Sequence, residues 1–364
     1  MIKMNKTRQI KVGGVKIGGG APVSIQSMTK VGTSDVKAVV SQIKRLEAAG
    51  CEIIRVAVKS LDDARAIRGI KRKINIPLVA DIHFNHRLAL ESINSGADKI
   101  RLNPGNIGKR EDVARVLKAA KCANIPIRIG VNSGSVVRGQ KPEVRSQRNK
   151  NLTSDICHLS SELVDAAVRY IKFFEEEDFH DIIVSLKASD VVTTIEAYRK
   201  MSKAFSYPLH LGVTASGSYD AGVIKSAIGI GSLLADGIGD TIRVSLTADP
   251  VEEVIAAKRI LGAVGGRHFG PEVISCPTCG RCQVDLGRIV NELERQISEV
   301  RCQKSDKNFV RIAVMGCEVN GPGEAKEADI GIAFGKNSGT LFKKGKMIKK
   351  IETKNAIKEL LKII

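Results

Sequence analysis

The chain has 364 residues, of which 43% are hydrophobic and 27% charged, a composition typical of a folded globular protein rather than a disordered one. No apolar run is long enough for a membrane helix, and no signal segment follows the basic N-terminal residues, so we expect a cytoplasmic protein without a membrane partner. The net charge of +19 favours anionic ligands, but the low aromatic content of 4% argues against a nucleic-acid partner.

Short apolar runs alternate with amphipathic helical stretches from residue 22 to residue 263. The runs are rich in Ile and Val, as expected of parallel strands buried on both faces. They are Pro22–Met28, Glu52–Val58, Pro77–Asp81, Lys99–Leu102, Pro126–Val131, Asp181–Lys187, Pro208–Val213 and Asp240–Leu246. A helical pattern follows each run: Asp35–Ala49, Leu61–Lys73, Arg87–Ser95, Arg110–Ala123, Ser160–Glu177, Thr193–Ala204, Ala221–Ala235 and Val251–Leu261. Eight such units predict a (β/α)8 TIM barrel, with a doubly wound open sheet as the alternative.

The glycine-rich run Gly262–Gly270 ends this alternation and marks a domain boundary. We therefore predict a barrel domain over residues 1–265 and a smaller α/β domain over residues 266–364. The second domain contains a predicted strand at Val310–Met315, and its basic C-terminal stretch, Lys336–Ile364, is interpreted as a helix. The polar connection Ser133–Ser154 after the fifth strand is long enough to be a functional flap.

Charged and polar side chains lie in or at the ends of the apolar strands. A buried unpaired charge is costly, so these residues are expected at the open C-terminal mouth of the barrel, where active sites of this fold gather. Arginine suits bidentate phosphate binding, and several cations together predict a small ligand with more than one phosphate. The cations are Arg55, Arg101, Arg128, Lys187 and Arg243, accompanied by Asp81, Asn103 and Asn132.

Five of the eight cysteines lie between residues 276 and 317. Cys276 and Cys279 form a Cys-x2-Cys pair, and Cys317 follows a predicted strand on a glycine-rich loop, so three thiolates are available to a metal. Zinc and an iron–sulfur cluster both remain open. A structural zinc site usually has four Cys or His ligands in paired spacing, which favours the cluster. Cys282 extends the spacing to Cys-x2-Cys-x2-Cys, which resembles the start of a ferredoxin motif. That motif would need a fourth cysteine at position 286, where this chain has Leu286.

Six segments together make the chain resemble the bacterial 4-hydroxy-3-methylbut-2-enyl diphosphate synthases of the non-mevalonate isoprenoid pathway. The two most specific segments are Ser275-Cys-Pro-Thr-Cys-Gly-Arg281 and Met315-Gly-Cys-Glu-Val-Asn-Gly-Pro-Gly-Glu-Ala325. The other four are Gly18–Thr29, Ala80–Phe84, Lys99–Gly108 and Gly130–Ser135. The resemblance extends over almost the whole chain.

The resemblance implies a 4Fe-4S cluster held by Cys276, Cys279 and Cys317, with Glu324 as the non-cysteine ligand. It implies reductive ring opening of 2-C-methyl-D-erythritol 2,4-cyclodiphosphate, with electrons from reduced flavodoxin or ferredoxin, in a homodimer. The implied catalytic residues are Glu324, Asp81 and Asn132. The implied substrate-binding residues are Arg55, Asp81, Arg101, Asn103, Arg128, Asn132, Lys187, Arg243, Thr214 and Ser216.

One departure from the family bears on activity: where the family usually has Thr-Glu-Ala-Gly, this chain has Thr214-Ala-Ser-Gly217. The glutamate is replaced by Ala215, so we expect reduced rather than absent activity. The alternatives are a catalytically impaired homologue that binds the cyclic diphosphate, and a zinc-containing nucleic-acid-binding protein. A brown colour would separate a cluster protein from a colourless zinc protein.

Overall fold

The structure is a computed structural model that describes residues 4–103, 106–107, 109–134, 152–214, 216–300 and 309–363. The chain divides into two compact units, Met1–Arg267 and His268–Ile364. None of the helices in these described ranges is long and apolar enough to cross a bilayer.

The first unit is the predicted (β/α)8 barrel. Eight parallel strands lie side by side, and a bridge between Val184 and Leu209 joins the first and last strands of the row. In chain order they are β3 (Ser24–Met28), β4 (Ile53–Ala57), β5 (Leu78–Ile82), β6 (Lys99–Leu102), β7 (Ile127–Asn132), β8 (Ile182–Lys187), β9 (His210–Leu211) and β10 (Thr241–Ile242). All eight predicted strands are confirmed, and the last two are shorter than the apolar runs that predicted them.

A helix follows each barrel strand, as the amphipathic patterns predict. The helices are α1 (Val36–Ala49), α2 (Leu61–Lys71), α3 (His86–Asn94), α4 (Arg110–Cys122), α5 (Leu152–Glu176), α6 (Val191–Ala204), α7 (Tyr219–Ala235) and α8 (Pro250–Ala263). Helix α1 illustrates the local causes. Asp35 accepts a hydrogen bond from the Ala38 amide at 3.0 Å and caps the N-terminus, while Gly50 ends the helix in the left-handed conformation.

An N-terminal hairpin, which the sequence analysis did not predict, closes one end of the barrel. It consists of β1 (Ile10–Val12) and β2 (Val15–Ile17), paired antiparallel around Gly13, whose φ is +53°. Its apolar side chains pack against Ile53, Val79 and Ile183, which face the barrel interior near the starts of their strands. The opposite end, where the strands terminate, is therefore the end at which polar side chains can meet a ligand.

The second unit is built on a mixed five-stranded sheet in sequential order. Its strands are β11 (Glu272–Ser275), β12 (Arg311–Met315), β13 (Ile330–Phe334), β14 (Ser338–Lys343) and β15 (Lys346–Glu352). Its helices are α9 (Leu286–Val300), α10 (Gly321–Glu327) and α11 (Ala356–Leu361). The first three strands are parallel and the last two antiparallel, so Ser275 and Met315 end neighbouring strands at the same edge. The predicted strand at Val310–Met315 is confirmed.

The predicted helix over Lys336–Ile364 is wrong for most of its length. Strands β14 and β15 form a hairpin there, and only Ala356–Leu361 is α-helical. The turn explains the difference, because Lys344 and Gly345 adopt positive φ angles of 48° and 77°, which a helix does not allow. Met347 and Ile348 lie on the edge strand β15, where they are 64% and 46% exposed.

Candidate active site

Five cations converge inside the barrel toward its C-terminal end. Side chains alternate between the two faces of a strand, so the inward face of each of the strands β4 to β8 includes a charged residue, and β6 also turns Lys99 inward. The residues from β4 to β8, in that order, are Arg55, Asp81, Arg101, Arg128 and Lys187, and Arg243 follows the end of β10. Their mutual electrostatic influence shows the proximity: Arg128, Arg243, Arg55 and Arg101 all act on Lys187. The structure thus brings together the five cations that the sequence placed at this mouth.

Asp81 is the carboxylate around which two of these arginines are arranged. Its oxygens lie 3.1 Å from Nη1 of Arg101 and 3.8 Å from Nε of Arg55. His83 lies beside the same pair, with Nε2 3.4 Å from the Asp81 carboxylate and 3.1 Å from the Arg101 guanidinium. Burial alone would raise the pKa of Asp81, but Arg55, His83 and Arg101 outweigh it and hold that pKa well below its usual range. Asp81 is therefore a carboxylate anion.

Burial removes these cations from water, which makes their charged forms less stable relative to the neutral forms. Burial lowers the pKa of Arg55 to about 9, although Asp81 opposes the shift. The pKa of Lys187 is lowered well below its usual range by burial and then by Arg128 and Arg243. An anion that binds inside this cluster would stabilise the charged forms of its side chains, because the cluster has an excess of positive charge.

Two glycines make room for these long side chains. A Cβ atom on Gly130 would lie 2.5 Å from Nε of Arg101, and one on Gly212 would lie 2.5 Å from Nζ of Lys187. Both glycines face the barrel interior, one on β7 and one just after β9. Any larger residue at either position would force a cation out of place.

The polar residues of the predicted substrate site lie at the same strand ends. Asn103 is buried after β6, and Asn132 ends β7 in a half-buried position. Thr214 follows β9, where its amide donates to the carbonyl of Ala188 at 3.1 Å. Ser216 is buried, and its hydroxyl donates to the backbone carbonyl of Ser245.

Two expectations of the sequence analysis lie outside the described residues. Ala215 is one of them, so the effect of the missing glutamate stays a prediction. The other is the flap Ser133–Ser154, of which residues 135–151 are not described.

Sequence reasoning missed a second buried carboxylate near the cations. Glu253 in the first turns of α8 is 2% exposed and lies 3.9 Å from Nη2 of Arg243 and 3.1 Å from Nζ of Lys30. The sequence does contain a sign that Glu253 is buried, because this residue falls on the same helix face as Val254, Ala257 and Leu261, which are all buried. A carboxylate on the apolar face of an amphipathic helix indicates a specific internal partner.

The cysteines of the second unit lie after neighbouring parallel strands. Cys276 follows β11 and Cys317 follows β12, so both lie at one edge of the sheet. The Cys279 carbonyl accepts a hydrogen bond of 2.9 Å from the Cys282 amide, which closes a tight turn, and Thr278 directly before this turn has a φ of +56°. Backbone N–H groups of Val319, Asn320 and Gly321 point to Cys317 and lower the pKa of its thiol.

The loop around Gly316 passes close to two cysteine sulfurs and offers one of them a backbone hydrogen bond. The Gly316 amide donates to Sγ of Cys276 at 3.4 Å, and a Cβ there would lie 2.4 Å from Sγ of Cys282. Cys276 and Cys317 are half-buried, while Cys279 and Glu324 are exposed, Glu324 in the first turn of α10. Within the described residues, no three such side chains are already gathered as a metal site. The donor set of three thiols and a carboxylate nevertheless suits iron–sulfur ligation. Cys282 donates from Sγ to the Val284 carbonyl at 3.2 Å.

Fold and site define the class: a two-domain (β/α)8-barrel protein with a cationic mouth and a cysteine-bearing second domain. A family model described as the GcpE TIM-barrel domain matches residues 7–258, and the model of the GcpE protein C-terminal domain matches residues 272–364. The chain belongs to the GcpE family. The resemblance found in the sequence motifs is thereby confirmed.

Relatives of nearly the same length support this assignment. A protein of Clostridium perfringens (strain 13 / Type A) is 55% identical over 359 residues, which are 99% of this chain and 98% of the relative. One of Thermodesulfovibrio yellowstonii is 52% identical over 365 residues, covering 100% and 99% respectively. Both are named 4-hydroxy-3-methylbut-2-en-1-yl diphosphate synthase (flavodoxin).

Among solved structures, the barrel is similar to a dihydropteroate synthase from Stenotrophomonas maltophilia. The TM-score is 0.52 at 15% sequence identity, with 71% of this chain and 98% of that chain covered. At this identity the likeness supports the fold alone.

Proposed function

We propose that the protein is a 4-hydroxy-3-methylbut-2-enyl diphosphate synthase. It reductively opens 2-C-methyl-D-erythritol 2,4-cyclodiphosphate, taking two electrons and two protons and releasing water, to give (E)-4-hydroxy-3-methylbut-2-enyl diphosphate. The observation that carries the proposal is a group of five cations inside the barrel of a chain of this family, four of them buried and Arg243 partly buried. A cyclic diphosphate supplies the compact negative charge that such a group needs.

The barrel residues bind and orient the diphosphate. Arg55, Arg101, Arg128, Lys187 and Arg243 surround its phosphate oxygens, and Asn103, Asn132, Thr214 and Ser216 offer hydrogen bonds around the carbon skeleton. Asp81 keeps Arg55 and Arg101 oriented, since it contacts both of them. As an anion, Asp81 can accept a hydrogen bond from a substrate hydroxyl but has no proton to give in the free enzyme.

The second unit supplies the redox chemistry. A 4Fe-4S cluster, held by Cys276, Cys279 and Cys317 with Glu324 as the fourth ligand, would supply electrons and a Lewis-acidic iron when bound. The three thiols are the softer donors and Glu324 is the harder one, so Glu324 would be the weakest of the four ligands. As an exposed carboxylate, Glu324 could also carry a proton.

Reduced flavodoxin or ferredoxin is the proposed electron donor, and a homodimer the proposed assembly. The name of the relatives supports flavodoxin, and the family resemblance supports a dimer. The net charge of +19 suits an acidic donor protein, because opposite charges accelerate the encounter.

The test is an anaerobic turnover assay on the purified protein with its cluster reconstituted. We expect the linear allylic diphosphate to form when reduced flavodoxin and the cyclic diphosphate are both present, and not when either is omitted. A brown protein that binds the cyclic diphosphate but yields no product with any low-potential reductant would contradict the proposal and indicate an impaired homologue.

An Ala215→Glu variant should raise the rate of this turnover, because it restores the glutamate that the family usually has at this position. An unchanged rate would mean that this position does not limit turnover.

A further inference from the structure

Glu253 is a buried carboxylate that ties three parts of the barrel mouth together. Its Oε1 accepts a hydrogen bond from the Leu246 amide at 3.0 Å, and its Oε2 accepts one from the Ser27 hydroxyl at 3.3 Å. Nζ of Lys30 lies 3.1 Å from Oε1, and Nη2 of Arg243 lies 3.9 Å from Oε2. One side chain on α8 thus reaches the end of β3, the loop after β10 and a cation of the mouth.

Among the described residues, Glu253 is the carboxylate with the greatest influence on Arg243, ahead of Asp81. The Arg243 side chain is 14% exposed, so the solvent screens this interaction weakly. Lys30 has further partners, because its ammonium also donates to the Leu246 and Ala248 carbonyls.

We infer that Glu253 is a positioning residue that orients the Arg243 guanidinium for a phosphate group of the substrate. The inference rests on the proposed function, in which Arg243 contacts the diphosphate. Arginine has many rotamers, and a carboxylate on one side of the guanidinium leaves the other N–H groups directed at the ligand. In this role Glu253 acts through Arg243 rather than through a contact of its own with the substrate. The same carboxylate fixes the loop that carries Ser245, to whose carbonyl Ser216 donates.

Glu253→Gln removes the charge and keeps the shape, so it tests the inference directly. The amide oxygen can still accept from Leu246, whereas the amide nitrogen cannot accept from Arg243. We expect KM for the cyclic diphosphate to rise about tenfold with kcat little changed, the pattern of lost ground-state binding. Glu252→Gln, one residue earlier on the same helix turn, is the matched control and should leave both constants unchanged.

A double-mutant cycle with Arg243→Met separates positioning of Arg243 from a general structural role of Glu253. If Glu253 works through Arg243, Arg243→Met and the double variant should have nearly the same KM, because no cation remains at position 243 for Glu253 to act on. Fully additive effects, or a KM unaffected by Glu253→Gln, would overturn the inference while Arg243 keeps its role. A KM unaffected by Arg243→Met alone would overturn the inference and also the proposed part of Arg243 in the site. Should Glu253→Gln fail to fold, Glu253→Asp, which withdraws the carboxylate by one methylene, enters the same cycle.

Discussion

The side chain of Asp81 shows how single residues keep the mouth of the barrel folded without substrate. It lies between Arg55 and Arg101, each of which is less than one-tenth exposed. Removing one partner of a buried ion pair is more damaging than never having the pair, because the remaining charge stays desolvated and uncompensated. Asp81 therefore has a structural role besides any contact with substrate.

Replacing Asp81 should destabilise the barrel measurably. We expect Asp81→Asn to reduce the free energy of unfolding by about 3 kcal/mol, because both arginines then lack their carboxylate. Urea unfolding at neutral pH measures this change. Glu176→Gln is the control: it removes a carboxylate from an arginine pair with Arg110 at 2.7 Å, in which both side chains are more than half exposed. That exposed pair should contribute about 1 kcal/mol or less. Equal losses in the two variants would mean that burial of Asp81 is not the cause.

The lowered pKa values of the mouth cations predict that substrate affinity depends on pH. In the free enzyme, burial lowers the pKa of Lys187 and Arg55, and a bound diphosphate raises both pKa values again. Binding therefore takes up a proton once the pH exceeds the pKa that the group has in the free enzyme, and affinity falls as pH rises above that value, which is about 9 for Arg55. Each proton taken up weakens binding by up to about tenfold per pH unit.

Calorimetric titration with the cyclic diphosphate in buffers of different ionisation enthalpy measures this proton uptake. The Lys187→Arg variant should show less uptake, since a guanidinium holds its proton more firmly than an ammonium. Proton release on binding, or a pH-independent affinity, would contradict the assignment of these cations to the diphosphate.

At the scale of the elements, the loop after β12 depends on a glycine for its close approach to sulfur. Gly316 has no room for a side chain beside Cys282, because a Cβ would lie 2.4 Å from its Sγ, whereas Sγ of Cys276 at 3.5 Å would be in ordinary contact. We expect Gly316→Ala to fold but to retain less than about half the iron of the parent, because the shift that relieves the clash moves either Cys282 or the loop that leads to the proposed ligand Cys317.

Iron content and visible absorbance after reconstitution measure that loss. Gly280→Ala is the matched control in the same cysteine region, since a Cβ there would meet no atom within 4 Å. A Gly316→Ala protein with full iron content would show that the sulfur positions adapt and that the close approach is not required.

Local sequence patterns predicted the barrel elements because each apolar run is bounded by helix and turn signals. They did not predict the hairpin of β1 and β2, whose three-residue strands are too short for a periodic pattern. They also gave a helix where β14 and β15 lie, because lysine is compatible with a helix and the turn at Lys344 and Gly345 outweighs that propensity. Both errors concern segments whose conformation is set by pairing with a neighbouring strand.

The candidate site was predictable in part for the same physical reason. A charge inside an apolar strand, such as Arg55 or Arg128, has few acceptable places in a barrel, so the sequence indicates its position. Glu253 was missed, because its role depends on a contact with Arg243 that only the folded barrel creates. The carboxylates that pair with the cations therefore cannot be identified from local sequence, because these pairs form only in the folded barrel.

At the scale of the whole molecule, the proposed functions are divided between the two units of the chain. The cations belong to Met1–Arg267 and the thiols to His268–Ile364. Because the diphosphate is the most highly charged part of the substrate, we attribute most of the binding free energy to the barrel cations. Binding and redox chemistry should therefore be separable by substitution.

Two variants test this division. Cys317→Ser should lose the cluster absorbance and all turnover, yet bind the cyclic diphosphate with a Kd within about threefold of the parent, since it leaves the barrel cations in place. Arg128→Met should keep the iron and the absorbance but weaken substrate binding by about a hundredfold or more, which is the loss expected when a buried charged contact is removed. Anaerobic calorimetry and iron analysis on the same preparations measure both properties. Loss of binding in Cys317→Ser would place the main substrate contacts in the second unit, whereas loss of iron in Arg128→Met would show that the barrel mouth is needed to hold the cluster.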